Sequence, residues 1–146
     1  MRKESTWEEC IEASSSISVT PDKSKAKSLI DATIGRNQFF AKNEINESSA
    51  NYIFEGYYSS ALEMLHALLL LRGYKVGNHI CLAYYLRDIL NKNDLFRIFN
   101  DCRFKRNSLI YYGRKMDFEI AKSAIEKCKT LIKELNKILD DEIGPD

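Results

Sequence analysis

The residues best suited to chemistry lie together in Arg103-Phe104-Lys105-Arg106-Asn107-Ser108-Leu109-Ile110-Tyr111-Tyr112-Gly113-Arg114. If one helix runs through this stretch, Arg103, Arg106, Asn107, Ile110 and Tyr111 share a side, because residues three and four apart are neighbours. A guanidinium fork matches phosphate oxygens two at a time, and a tyrosine such as Tyr111 or Tyr112 stacks on a base or hydrogen-bonds a phosphate. Gly113 ends the element and opens access. The chemistry this set supports is the gripping of a phosphate. Around it, Arg97, Arg103, Lys105, Arg106, Arg114 and Lys115 face a single acid, Asp101. The plainer reading of most of these cations is a solvated helix face, and of the two tyrosines the edge of a core.

Other familiar sites are missing. The sequence has no GxxxxGK, GxGxxG, HExxH or GxSxG. It has two histidines; His66 lies in a nearly unbroken apolar run and reads as a core residue, whereas His79 follows a loop. Glu8-Glu9 and Asp140-Asp141 sit near the chain ends and look solvated. Cys10, Cys81, Cys102 and Cys128 are far apart and form no CxxC pair, which does not read as a metal site. They read as four unpaired, buried hydrophobes of a protein in a reducing cytoplasm. No cofactor is implied.

The elements that must position the arginines are helices. The chain has 146 residues, 45% apolar and 29% charged, with two prolines; that suits one folded domain over 1–146 whose core spans about 22–140. The net charge of +1 provides no global field for nucleic acid or membrane. Met1-Arg2-Lys3-Glu4 leads into no apolar signal core, and the apolar run Ala67 to Leu71 is far too short to span a bilayer.

Thr6 caps a short helix to about Ala13, and Ser14-Ser15-Ser16 breaks it. Thr20-Pro21-Asp22 reads as the next start, with a capping hydroxyl and proline at the first helical position. An apolar stripe follows from Ala26 to Phe40, and Gly35 in its midst suits a close helix approach. A third helix opens at Ser48 or Ser49 and stops at Gly73. A fourth covers about His79 to Leu90, and a fifth begins near Asp94. In the last helix Phe118, Ala121, Ile125, Cys128, Ile132, Leu135 and Leu139 repeat at threes and fours, which is a bundle seam. No segment alternates long enough to compete as a strand. The expected fold is all-α, an antiparallel bundle of four long helices with one or two short ones.

The run Glu55-Gly56-Tyr57-Tyr58-Ser59-Ser60-Ala61-Leu62-Glu63-Met64-Leu65-His66-Ala67-Leu68-Leu69-Leu70-Leu71-Arg72-Gly73-Tyr74, followed by His79, resembles the helix and loop histidine of HEPN domains. Arg106-Asn107-Ser108-Leu109-Ile110-Tyr111 falls where that family carries Arg-Asn-x-x-x-His. The resemblance covers roughly residues 22–140. It implies a helical bundle, often a homodimer with two such motifs across a cleft, acting either as a metal-independent ribonuclease or as the nucleotide-binding partner of a small nucleotidyltransferase in a toxin–antitoxin pair. It further implies that Arg106 binds phosphate, with Asn107 beside it and His79 as the loop histidine.

Tyr111 departs from the family pattern. An ordinary histidine titrates near pH 6.5 and a tyrosine near 10, so only about one phenol in a thousand is ionised at pH 7. As a general base it gives up roughly three decades of competent population. The sequence therefore favours a binding module for nucleotide or RNA, formed by Arg103, Arg106, Asn107, Tyr111, Tyr112 and His79. The alternatives are a divergent endoribonuclease using Arg106 and Tyr111, or a helical protein that only assembles with itself.

Overall fold

In the computed structural model, which describes residues 3–144, Thr6 opens the first helix by accepting from the Glu9 amide at 3.1 Å. This helix, α1 (Trp7–Glu12), is short, and Ser14 ends the turn after it with a φ of 60°. The chain then forms β1 (Ser16–Ser18), which pairs antiparallel with β2 (Tyr74–Val76). Val19 N donates to Gly73 O at 2.9 Å and Gly77 N to Ser15 O at 2.8 Å, extending the pairing beyond both strand ends. These strands correct the expectation that no segment is extended. Each is three residues long, so alternation along the chain leaves no trace.

The second helix, α2 (Lys23–Ala41), starts two residues later than Thr20-Pro21 suggests. Asp22 is the cap, its Oδ1 accepting from Lys25 N at 2.9 Å. Asp22 N is itself bound to Leu70 O at 3.2 Å, which keeps the preceding proline in the extended connection. Helix α3 (Ala50–Leu71) follows Ser49 and ends where Gly73 adopts a φ of 86°. A side chain at Gly73 would meet Val19 O at 3.0 Å, so both conformation and space demand glycine there. Helix α4 (His79–Asp88) is capped by Asn78 and is two residues shorter than expected. Helix α5 (Asn93–Tyr112) stops at Gly113, whose φ of 63° is left-handed. Helix α6 (Phe118–Ile143) is the longest.

The protein is mostly helical, with six helices and two short strands among the described residues. Helix α3 is central, packing most extensively against α2 and α6 and touching α4, α5 and β2. In its second half Met64, Leu65, Leu68 and Leu69 are fully buried, while Leu62, His66, Leu70 and Leu71 are half-buried. On α6 the seam from Ala121 through Ile125, Cys128, Ile132 and Leu135 to Leu139 is buried, and Phe118 is half-buried at its start. The close approach between α2 and α3 occurs at Gly56, where an added Cβ would lie 2.1 Å from the Phe40 ring. Gly35, by contrast, has nothing within 4 Å. Among the described residues no helix is long and apolar enough to cross a membrane.

The cysteines are not four unpaired thiols. Cys10 and Cys81 form a disulfide joining α1 to α4, while Cys102 and Cys128 are free, buried and 3.6 Å apart at sulfur. The argument from unpaired cysteines to a reducing compartment thereby loses its premise. Around the disulfide, Trp7 sets its ring edge-on to Tyr74 and Tyr85 at 5.2 and 4.9 Å. Its amide donates to Asp88 Oδ2 at 2.8 Å.

A cross-link between residues 71 apart removes enough unfolded-state entropy to stabilise the fold by about 4 kcal/mol. The Cys10→Ser/Cys81→Ser protein should melt roughly 10 °C below the oxidised one. Trp7 is the only tryptophan, so its emission reports directly on whether α1 stays seated. Unchanged melting and emission would show that the cross-link contributes nothing.

Candidate functional site

Helix α5 carries Arg103 and Arg106 one turn apart, both half-buried. The Arg106 guanidinium lies 5.9 Å from the ring centroids of both Tyr58 and Tyr111. Among the described residues its Nε is buried without a hydrogen-bond partner, and no carboxylate pairs with its guanidinium. Arg103 donates through Nε and Nη2 to Asn100 Oδ1 at 3.3 and 3.1 Å, and its guanidinium lies 5.0 Å from the Phe104 centroid. Asp101, the only acid in the cationic stretch, is occupied by Lys105 at 2.6 Å and Lys127 at 3.6 Å. Neither arginine is therefore paired with Asp101.

Two elements outside the motif reach this place. Tyr58, Leu62 and His66 recur every four residues on α3 and therefore share a face. Tyr58 is buried and stacks on Phe99 at 5.7 Å, and its hydroxyl has no partner among the described residues. Burial pushes that phenol up to about 12, against a smaller opposing pull from Arg106 and Arg103. His66 is half-buried and sets its ring edge-on to His79 at 5.9 Å. His79 is the first residue of α4, placed by the Asn78 cap.

Both imidazoles are held below the ordinary histidine value. Burial is the main cause for each. For His79 the charges of Arg106 and Arg103 add to it, and for His66 the neighbouring His79 does, opposed by Glu63. Glu63 is already paired with Arg36 at 3.1 Å. The arrangement is two guanidiniums, two neutral imidazoles and a buried phenol, all donors or proton carriers and none an anion. It attracts a negative group.

Of the six residues singled out from the sequence, the structure brings Arg103, Arg106, His79 and Tyr111 to one region. Tyr111 is 67% exposed, so its phenol is open to solvent beside Arg106. Asn107 is half-buried, and its side chain makes no hydrogen bond among the described residues. Tyr112 stands apart, 72% exposed, with Arg114 5.6 Å from its ring. His66 is the residue whose reading changes most, since it is half-buried beside His79 instead of enclosed in the core. The four-residue spacing from Tyr58 through Leu62 to His66 was the available signal. Among the described residues no group of three or more His, Cys, Asp or Glu could hold a metal ion.

The depressed histidines fix the sign of a pH effect. Between the unfolded value near 6.5 and the lower folded values, the unfolded chain binds more protons. Stability is therefore full above pH 6.5 and declines as pH falls through that window. Proton NMR of the two histidines should give midpoints below 6.5 for both. Arg106→Ala should raise the His79 midpoint, because of the two imidazoles only His79 feels the Arg106 charge directly. A His79 midpoint that ignores the substitution would remove Arg106 from its surroundings.

Comparison with protein families, curated proteins and solved structures gave no match, so the role of the site rests on its own residues.

Proposed function

We propose that this protein binds the phosphate of a nucleotide or RNA through Arg106, with Arg103, His79 and Tyr111 completing the site. The observation that carries the reading is the Arg106 guanidinium, unpaired with any carboxylate and with a buried Nε lacking a partner among the described residues. A buried donor without a partner costs about 1–3 kcal/mol, more when charged, and a phosphate oxygen recovers that cost. The resemblance of the α3–α4 stretch and of Arg106-Asn107 to HEPN domains supports the same ligand class. So does the mostly helical fold. In that reading the active unit is a homodimer, and a small nucleotidyltransferase is its natural protein partner.

The His66–His79 pair favours a second reading, a metal-independent endoribonuclease. Histidine is missing at position 111, but His79, with its proton affinity lowered by burial and by Arg106, stands there, and His66 lies edge-on behind it at 5.9 Å. One takes the proton from an RNA 2′-hydroxyl as its oxygen attacks phosphorus. The leaving 5′-oxygen takes a proton from an imidazolium or from the Tyr111 phenol. Arg106 stabilises the charge on the phosphorane.

Fluorescence polarisation with a labelled oligoribonucleotide separates these readings. Arg106→Ala should weaken binding at least tenfold, since hydrogen bonds to charged groups contribute about 1.5–3 kcal/mol. Arg106→Lys should recover only part of it, because an ammonium lacks the planar fork. Cleavage of the same RNA that disappears with His79→Ala and Arg106→Ala would establish the enzyme. Equal binding by wild type and Arg106→Ala would end both readings. Light scattering should give a dimer, and a monomer at tens of micromolar would count against a shared cleft.

A further inference from the structure

Next to the arginines lies a groove of about 440 Å³, lined by Glu4, Asn78, Ile80, Asn100, Arg103 and Phe104, with Lys3 and Tyr84. That volume lies within the range of about 300–1,000 Å³ usual for small-molecule sites. It adjoins the proposed phosphate site, because Arg103 belongs to both and Asn78 and Ile80 flank His79. We infer that this groove takes the base of the nucleotide whose phosphate Arg106 grips, and that the base it selects is guanine. The inference rests on the phosphate reading and adds the identity of the base.

The selection follows from which polar atoms are already used. Asn100 Oδ1 accepts from Arg103, and Asn78 Oδ1 accepts from Ile80 N at 3.3 Å. Neither Nδ2 donates to a partner among the described residues, so both amides have those hydrogens to offer. Arg103 spends Nε and Nη2 on Asn100, leaving Nη1, and Lys3 adds a further donor. A wall of donors matches a base edge of acceptors. Guanine presents O6 and N7, whereas adenine sets its N6 amino group against those same donors and leaves N–H facing N–H.

Glu4 provides the complement. Its carboxylate accepts from the Ser15 hydroxyl, and its backbone oxygen accepts from the Tyr84 hydroxyl at 3.1 Å, which fixes the residue against α4. A carboxylate there accepts from the guanine N1 and N2 hydrogens, a pair of donors that uracil lacks. Phe104, 61% exposed, offers a ring on which a base stacks. Shape and stacking serve any base, so discrimination falls to Glu4 and the amides.

Isothermal titration of the oxidised full-length protein with ribose 5-phosphate, GMP, AMP, UMP and CMP tests this. GMP should bind at least tenfold more tightly than AMP, and Glu4→Gln should cut that preference severalfold by weakening GMP. Phe104→Ala should weaken all four nucleotides relative to ribose 5-phosphate. If ribose 5-phosphate binds and the four nucleotides bind alike, the groove does not read the base, and the phosphate site stands without it. If neither ribose 5-phosphate nor any nucleotide binds, the phosphate reading falls and this inference falls with it.

Discussion

A guanidinium sunk into a helix-lined surface is tolerable only if something answers its charge, and at Arg106 the protein supplies rings instead of acids. The nearby carboxylates are committed elsewhere. Asp101 faces Lys105 and Lys127, and Glu63 faces Arg36. Those pairs are exposed enough that each contributes little to stability. Their larger effect is to leave Arg103 and Arg106 unneutralised, so that the positive field between α3, α4 and α5 persists. That field helps to hold His79 neutral. The charge of the region follows from this distribution of partners, and burial adds the larger part of the histidine and Tyr58 shifts.

The scaffold that maintains it is α3. One face supplies Tyr58 and His66, while the rest is clamped between α2 and α6, with Phe40 seated over Gly56. The fully buried Met64, Leu65, Leu68 and Leu69 fix the register of the second half of α3, and that register sets His66 beside His79. The α1 segment is held differently. It has little core of its own and depends on the disulfide, on Trp7 against two tyrosines, and on Arg87 Nη2 donating to Ser5 O at 2.8 Å. Glu4, just ahead of α1, is held separately by the Ser15 and Tyr84 hydroxyls.

What the sequence made legible was whatever depends on near neighbours. The α6 seam, the Thr6 cap, the glycines that end α3 and α5, and the one-turn spacing of Arg103 and Arg106 all follow from local rules and agree with the structure. Contacts between distant segments were not legible. Asp22 displaces Thr20 as a cap because Leu70 O takes its amide, and β1 exists because β2 lies beside it. Gly35 and Gly56 read alike along the chain, and only the position of Phe40 decides which one permits a close approach. Cys10 and Cys81 pair because α1 lies on α4, which no spacing rule encodes. His66 was misjudged for the same reason: an apolar sequence neighbourhood is not an apolar surrounding when His79 arrives from another helix.

The tyrosine at position 111 bears on how such a site divides its labour. Its side chain is mostly exposed beside Arg106. The imidazoles come from α3 and α4, where burial has already moved both, helped by His79 at His66 and by two guanidiniums at His79. An anion arriving at Arg106 cancels part of the field that depresses His79 and so favours proton uptake there. Charge recognition on α5 and proton affinity on α4 are then linked through the ligand itself. Neither depends on a histidine within the arginine motif, which leaves Tyr111 free to serve as a contact surface.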